Sequence, residues 1–199
     1  MFYITTRVAP CVRYVLIRNA QCEKHMKQQE GDMEGSPGSD SVLTPQGDQM
    51  AKALGSLIEY LEKRPYCVPD GTEPDRKYNI VIDGRSQQHY DTSRYLRRRN
   101  KNVSVIYTNN VGKQLNFFKR DHLIDFIDVV IVFTDAKTIT DFCKARISDL
   151  IHLGPALGST TIFDVVPDNG IYVHEFGSLG ALQYGGFDTS KLFWWNNAQ

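Results

Sequence analysis

The sequence carries no net charge: Lys and Arg number 23, and so do Asp and Glu, across 199 residues. Bulk electrostatics therefore give no support to a chain-wide role at nucleic acid or a membrane surface, and only a local patch would supply one. No apolar run approaches the ~20 residues needed to span a bilayer. Met1–Ala9 holds a single Arg and lacks both a signal-peptide apolar region and an Arg/Ser-rich presequence. On this reading the expected location is cytoplasmic or nuclear. The four cysteines, Cys11, Cys22, Cys67 and Cys143, form no CxxC pair. That argues against a zinc site or a thioredoxin motif and for reduced, mostly buried thiols. The five histidines, His25, His89, His122, His152 and His174, show no metal-ligand spacing, so neither a metal nor another cofactor is expected.

What is present is an ordinary globular composition, 41% hydrophobic and 23% charged, long enough to bury a substantial core. A single domain over residues 1–199 is expected. Val12–Ile17 reads as a buried strand. The polar stretch from Cys22 to Ser41, with Gly31, Gly35, Pro37 and Gly38, reads as a long flexible loop. Thr44 is placed to cap a helix with Pro45 at its first position. Met50, Leu54, Leu57, Ile58 and Leu61 give that helix one apolar face up to Pro65, and a second loop runs from Tyr66 to Lys77.

Tyr78–Ile82 reads as a strand, Ser86–Arg99 as a helix and Val103–Tyr107 as a strand. The segment Asn109–Asp125 has no clear period. Asp128–Phe133 is the strongest buried strand, followed by a helix over Thr140–Ile151. Thr160–Val166 and Gly170–Phe176 form a hairpin around Pro167-Asp168-Asn169-Gly170, and a tail follows from about residue 177. Alternating strands and helices imply a three-layer α/β/α sandwich with a mostly parallel central sheet and the hairpin at its edge. Ligands of such sheets bind beyond the carboxyl ends of the strands. The chemistry is therefore sought at Arg18–Gln21, Asp83–Gln88, Tyr107–Asn110 and Thr134–Ala136.

The run Tyr14-Val15-Leu16-Ile17-Arg18-Asn19-Ala20-Gln21, followed by Leu43-Thr44-Pro45-Gln46-Gly47 and then Gln49, Ala51, Leu54 and Gly55, resembles the histidine phosphatase (phosphoglycerate-mutase-like) superfamily. The likeness runs in order from about Val12 to Phe176. The Leu-Thr-Pro-x-Gly form is also similar to the mitochondrial phosphoglycerate-mutase-like Ser/Thr phosphatases, which would add a mitochondrial association to the expected locations. The resemblance implies a nucleophilic histidine after the first arginine, a second arginine four residues before a Thr, a second histidine after the late buried strand, and an acidic proton donor.

Placed on this chain, those positions are degenerate. Arg18 is retained and is the candidate anion-binding residue. Asn19 stands where the nucleophile belongs, and an amide nitrogen, its lone pair delocalised, forms no useful phospho-intermediate. Alignment on Thr92 puts Gln88 at the second arginine; Arg85 and Arg94 are less well spaced for the role. Asp135 takes the second histidine's place. A carboxylate ~4 Å from a phosphoryl charge repels it by about 4 kcal/mol at an effective dielectric near 20, roughly a thousandfold in affinity, unless it pairs instead with Arg18. No proton donor is evident in Tyr107–Val111. The resemblance thus implies a catalytically inactive pseudophosphatase acting as a protein-interaction scaffold or regulatory subunit. The alternatives are a divergent phosphatase recruiting His25 or His89, and a module that binds a phosphate ligand without turnover. Arg94, Arg97, Arg98, Arg99 and Lys101 either complement a helix C-terminus or form a local site for an acidic partner or RNA. The adjacent Trp194 and Trp195 either dock on the domain or anchor in a partner's pocket.

Overall fold

Six of the seven residues of strand β1 (Val12–Arg18) are buried, because the strand lies between two others and is covered on both faces. The computed structural model describes residues 12–29, 42–63, 75–117, 126–147, 154–165, 170–190 and 192. After β1 come helices α1 (Glu23–Gln29), α2 (Pro45–Leu54) and α3 (Leu57–Glu62), strand β2 (Asp75–Asp83), α4 (Gln87–Arg99), β3 (Ser104–Thr108) and α5 (Val111–Phe117). Then follow β4 (Phe126–Thr134), α6 (Ala136–Arg146), β5 (Thr160–Val165), β6 (Ile171–Ser178) and α7 (Gly180–Tyr184).

The strands form one sheet in the order β3-β2-β4-β1-β5-β6. β1, β2, β3 and β4 pair in parallel, β5 is antiparallel to β1, and β6 closes the expected hairpin at the edge. Alternating residues of the central strands feed two cores. Val15, Ile17, Ile80, Ile82, Ile131 and Phe133 pack under α2, α3, α4 and α7. Leu16, Val81, Val130, Val132 and Phe163 pack under α5 and α6. Near-continuous Val/Ile runs are what a strand buried on both faces requires. Among the described residues no helix is long and apolar enough to cross a membrane.

Several expectations need correction. Within the segment read as a loop from Cys22 to Ser41, Cys22 bridges to Leu43 and residues 23–29 form α1; residues 30–41 lie outside the described residues. The helix read as continuous to Pro65 divides at Gly55 and Ser56 into α2 and α3, as the low helix propensity of glycine permits. Asn109–Asp125, left without a period, contains α5. The helix read from Thr140 starts at Ala136, because the Asp135 side chain accepts from the Thr138 N–H and caps it. The tail read from residue 177 is not a tail at its start: Ala181, Leu182, Phe187 and Leu192 are buried in the α2 core. Trp194 and Trp195 lie outside the described residues.

Candidate functional site

Arg18 ends β1 beside Thr134, which ends β4. The Asn19 N–H donates to the Thr134 carbonyl at 3.1 Å, and the Gly158 N–H bonds the carbonyls of both Arg18 and Asn19. These bonds fix the turn that leaves the strand. Asn19 is 2% exposed, and its side-chain amide donates to the Ala20 carbonyl at 3.1 Å. Thr92 ties this turn to α4: its hydroxyl accepts from the Ala20 N–H at 3.1 Å and donates to the Gln88 carbonyl at 2.7 Å. Gln88 therefore lies in the first turn of α4, next to the end of β1. Its Oε1 accepts from the Cys22 thiol at 3.0 Å.

The Leu43–Gly47 segment closes the turn from the other side. Thr44 accepts from the Gly47 N–H, donates to Gln21 Oε1 at 2.7 Å, and bonds the Gln21 carbonyl through its own N–H. The start of α2 thus lies against the backbone that follows Arg18. The four residues singled out, Arg18, Asn19, Gln88 and Asp135, all stand at the carboxyl end of the sheet around β1 and β4. Burial lowers the Arg18 pKa, with the negative charge of Asp135 opposing that shift.

Arg18 and Asp135 do not form the ion pair considered from the sequence. The Arg18 guanidinium donates to the Pro155 carbonyl at 2.5 Å. Asp135 uses Oδ1 to cap α6 at 2.6 Å and turns Oδ2 to Arg85 at 3.1 Å. Arg85 is the site residue that the spacing argument set aside. It grips the fully buried Asp83 through Nε at 2.8 Å and through its terminal nitrogen, and it reaches Thr138 at 2.7 Å. Thr134 adds a bond to Asp83 at 2.7 Å. Burial pushes the Asp83 carboxyl up, but the bonds from Arg85 and Thr134 outweigh it and hold the group below the usual carboxylate range. Arg94 is also committed, to Asp48 and Tyr95.

Two histidines approach this end of the sheet. The Cys22 N–H donates to His25 Nδ1 at 3.1 Å, and the Cys22 sulfur lies 3.1 Å from the same nitrogen. Since a backbone N–H only donates, Nδ1 holds the lone pair and the neutral ring carries its proton on Nε2. Burial, helped by Arg18 and Lys24, lowers the His25 pKa to about 4. His89 shows the opposite tautomer: its Nδ1 lies 3.0 Å from the Asp83 carbonyl, which only accepts, so Nε2 is bare. That nitrogen is buried with no hydrogen-bond partner among the described residues, and the residue is 1% exposed. Burial also lowers the His89 pKa. His122 and His152 lie outside the described residues. No group of three or more His, Cys, Asp or Glu among the described residues is arranged to hold a metal ion.

The depressed His25 and His89 pKa values have a consequence for acid stability. An unfolded chain protonates its histidines near pH 6.5, whereas folded His25 resists to about 4. The stabilisation is present above pH 6.5 and lost as pH falls from there toward 4. Urea unfolding of His25→Gln should show a shallower loss of stability across that interval than the parent protein. An unchanged slope would contradict the assignment.

No protein-family model and no curated protein sequence matches the chain. Solved structures do. A phosphoglycerate mutase from Bacillus anthracis superposes with a TM-score of 0.58 at 12% identity, covering 89% of this chain and 98% of the other. A phosphoserine phosphatase variant from Entamoeba histolytica, in complex with phosphoserine, gives 0.58 at 13%, covering 86% and 99%. An alpha-ribazole phosphatase from Shigella flexneri gives 0.54 at 11%, covering 84% and 96%. At such identities the likeness is one of fold, and it is nearly complete in both directions. With its element order, mostly parallel sheet and edge hairpin, the chain has the phosphoglycerate-mutase-like fold.

Proposed function

We propose that this protein is a pseudophosphatase: a phosphatase-type fold that has lost phosphoryl transfer and acts as a protein-interaction scaffold or regulatory subunit. The observation that carries the reading is the state of the nitrogen lone pairs at the strand ends. Where the resemblance calls for an attacking imidazole, the chain has Asn19, sealed in the turn and bonded to Ala20. The His25 lone pair is taken by the Cys22 N–H, and the His89 lone pair is buried. Phosphoryl transfer through a histidine needs a bare ring nitrogen at the phosphorus, activated by a base or neighbour. None is offered among the described residues. The cationic wall is also reduced to Arg18, with Arg85 neutralised between Asp83 and Asp135 and Gln88 bringing no charge.

A second reading, a divergent phosphatase, draws support from the arrival of His25 beside Arg18 and from the phosphatases among proteins of similar fold. The two readings part on one assay. Incubation of purified protein at high concentration with p-nitrophenyl phosphate, whose leaving group needs no acid catalyst, should give no turnover above background and no acid-labile phosphoenzyme. Steady turnover abolished by His25→Ala, or by Asn19→Ala, would end the pseudophosphatase reading. Calorimetry with phosphoserine tests the remaining possibility, ligand binding at Arg18 without turnover: heat that disappears in Arg18→Ala would establish it.

A further inference from the structure

The chain is neutral as a whole, but its charge is segregated. From Thr92 to Arg120 the sequence holds eight Lys and Arg residues and no Asp or Glu. That stretch contains most of α4, the strand β3 and α5. β3 is the sheet's edge and pairs only with β2. Its outer row of backbone N–H and C=O groups has no strand against it among the described residues, and none of its five side chains is fully buried. Tyr107 on this strand is 56% exposed. Its ring lies 6.0 Å from that of Tyr90, over which the Arg97 guanidinium stacks at 3.9 Å.

Part of the basic cluster serves the fold. Arg94 binds Asp48, Arg97 binds Ser93 and the Tyr90 carbonyl, and Arg99 reaches Ser56 and Glu59. Helix-dipole complementation accounts for charges in the last turn of α4. It does not account for Lys101 and Lys113, which lie beyond α4 and in the first turn of α5, on either side of β3 in sequence. Arg98, Lys101 and Lys113 are exposed, and among the described residues their side chains make no hydrogen bond or ion pair.

We propose that the β3 edge is a docking site for an acidic, extended peptide segment of a protein partner, which adds to the sheet as a further strand. This rests on the scaffold reading above and gives it a surface. The backbone of the partner would complete the ladder that β3 leaves open, and its apolar positions would lie against Tyr107. Its carboxylates would meet Arg98, Lys101 and Lys113. The same lysines deter pairing of two β3 edges from separate copies, since like charges would face each other. Single-stranded nucleic acid would use the cations and rings but leave the backbone ladder idle.

The test is fluorescence anisotropy of the full chain with a labelled Glu-Val-Asp-Val-Glu-Val-Asp peptide at low salt. Binding is expected, weakened about tenfold in K101E/K113E by reversal of two exposed charges, and abolished when alternate peptide amides are N-methylated. Circular dichroism confirms that the variant is folded. Absence of binding, equal binding of the Lys-for-acid peptide, or affinity unchanged in K101E/K113E would overturn the proposal. So would capture of oligo(dT) alone. Phosphatase turnover would overturn the pseudophosphatase reading and leave this binding result standing.

Discussion

Replacing Arg13 by leucine is expected to cost about 3–5 kcal/mol of unfolding free energy at neutral pH, the range for a buried ion pair stripped of one partner. Arg13 on β1 is 2% exposed and grips Asp164 on β5 with both ends of its fork, at 2.7 and 2.8 Å. His174 holds the same carboxylate at 2.8 Å. Burial pushes the Asp164 carboxyl up, yet the bonds from Arg13 and His174 prevail and hold it below its ordinary value. Removing Arg13 leaves a carboxylate in the sheet interior with one partner in place of two. The deficit should shrink as pH falls through the carboxylate range, where protonation relieves the stranded charge. Guanidinium unfolding across pH measures it, and the R13L/D164L double variant should recover most of the loss, since an apolar pair suits that interior. A deficit that is small, or equal at all pH values, would mean that the pair does not add charge-dependent stability to the β1–β5 ladder.

Gly47→Ala should cost about 3 kcal/mol, the upper end of ordinary overpacking, despite the gain in helix propensity. A Cβ at Gly47 would overlap the Gln21 carbonyl oxygen and lie 2.9 Å from its carbon. Both are backbone atoms of the turn that carries Arg18 and Asn19, so the clash is not relieved by a side-chain rotation. Thermal unfolding reads the loss. Gly112→Ala, where a Cβ would meet only Asn110 Oδ1 at 3.8 Å, serves as the comparison and should leave the melting point near the parent value. Equal effects would remove the close approach as the reason for glycine at position 47.

That glycine also explains how far the sequence could be read. In Leu43-Thr44-Pro45-Gln46-Gly47 the helix start was legible because Thr44 and Pro45 answer local demands, a cap and a pre-set φ, whereas the close approach that requires Gly47 is a tertiary contact. β4 was legible because a run of Val and Ile, bounded by polar residues, matches a strand buried on both faces. The hairpin declared itself through Pro-Asp-Asn-Gly. α1 was not legible, since its polar residues sit beside a Gly/Ser/Pro-rich stretch and carry no apolar face. The start of α7 was hidden because its burial depends on α2 and α3, far away in sequence.

The candidate site divides in the same way. Arg18, Asn19, Gln88 and Asp135 were placed at one end of the sheet by strand and helix boundaries, and Thr92 fixes the Gln88 position through Ala20. The partner of Asp135 was not readable. Arg85 reaches it across fifty positions with a long side chain, and its own anchor, Asp83, is only two residues away. The hydrogen bonds that decide which nitrogen of His25 and His89 keeps its lone pair are tertiary facts that no spacing encodes.

Those lone pairs are what the functional reading stands on, and they are open to direct measurement. Long-range proton–nitrogen correlation spectra of the ¹⁵N-histidine protein at neutral pH report the tautomer of each ring. The account predicts a neutral His25 protonated on Nε2 and a neutral His89 protonated on Nδ1. A His25 ring protonated on Nδ1, with Nε2 bare and shifting when phosphate is added, would contradict it.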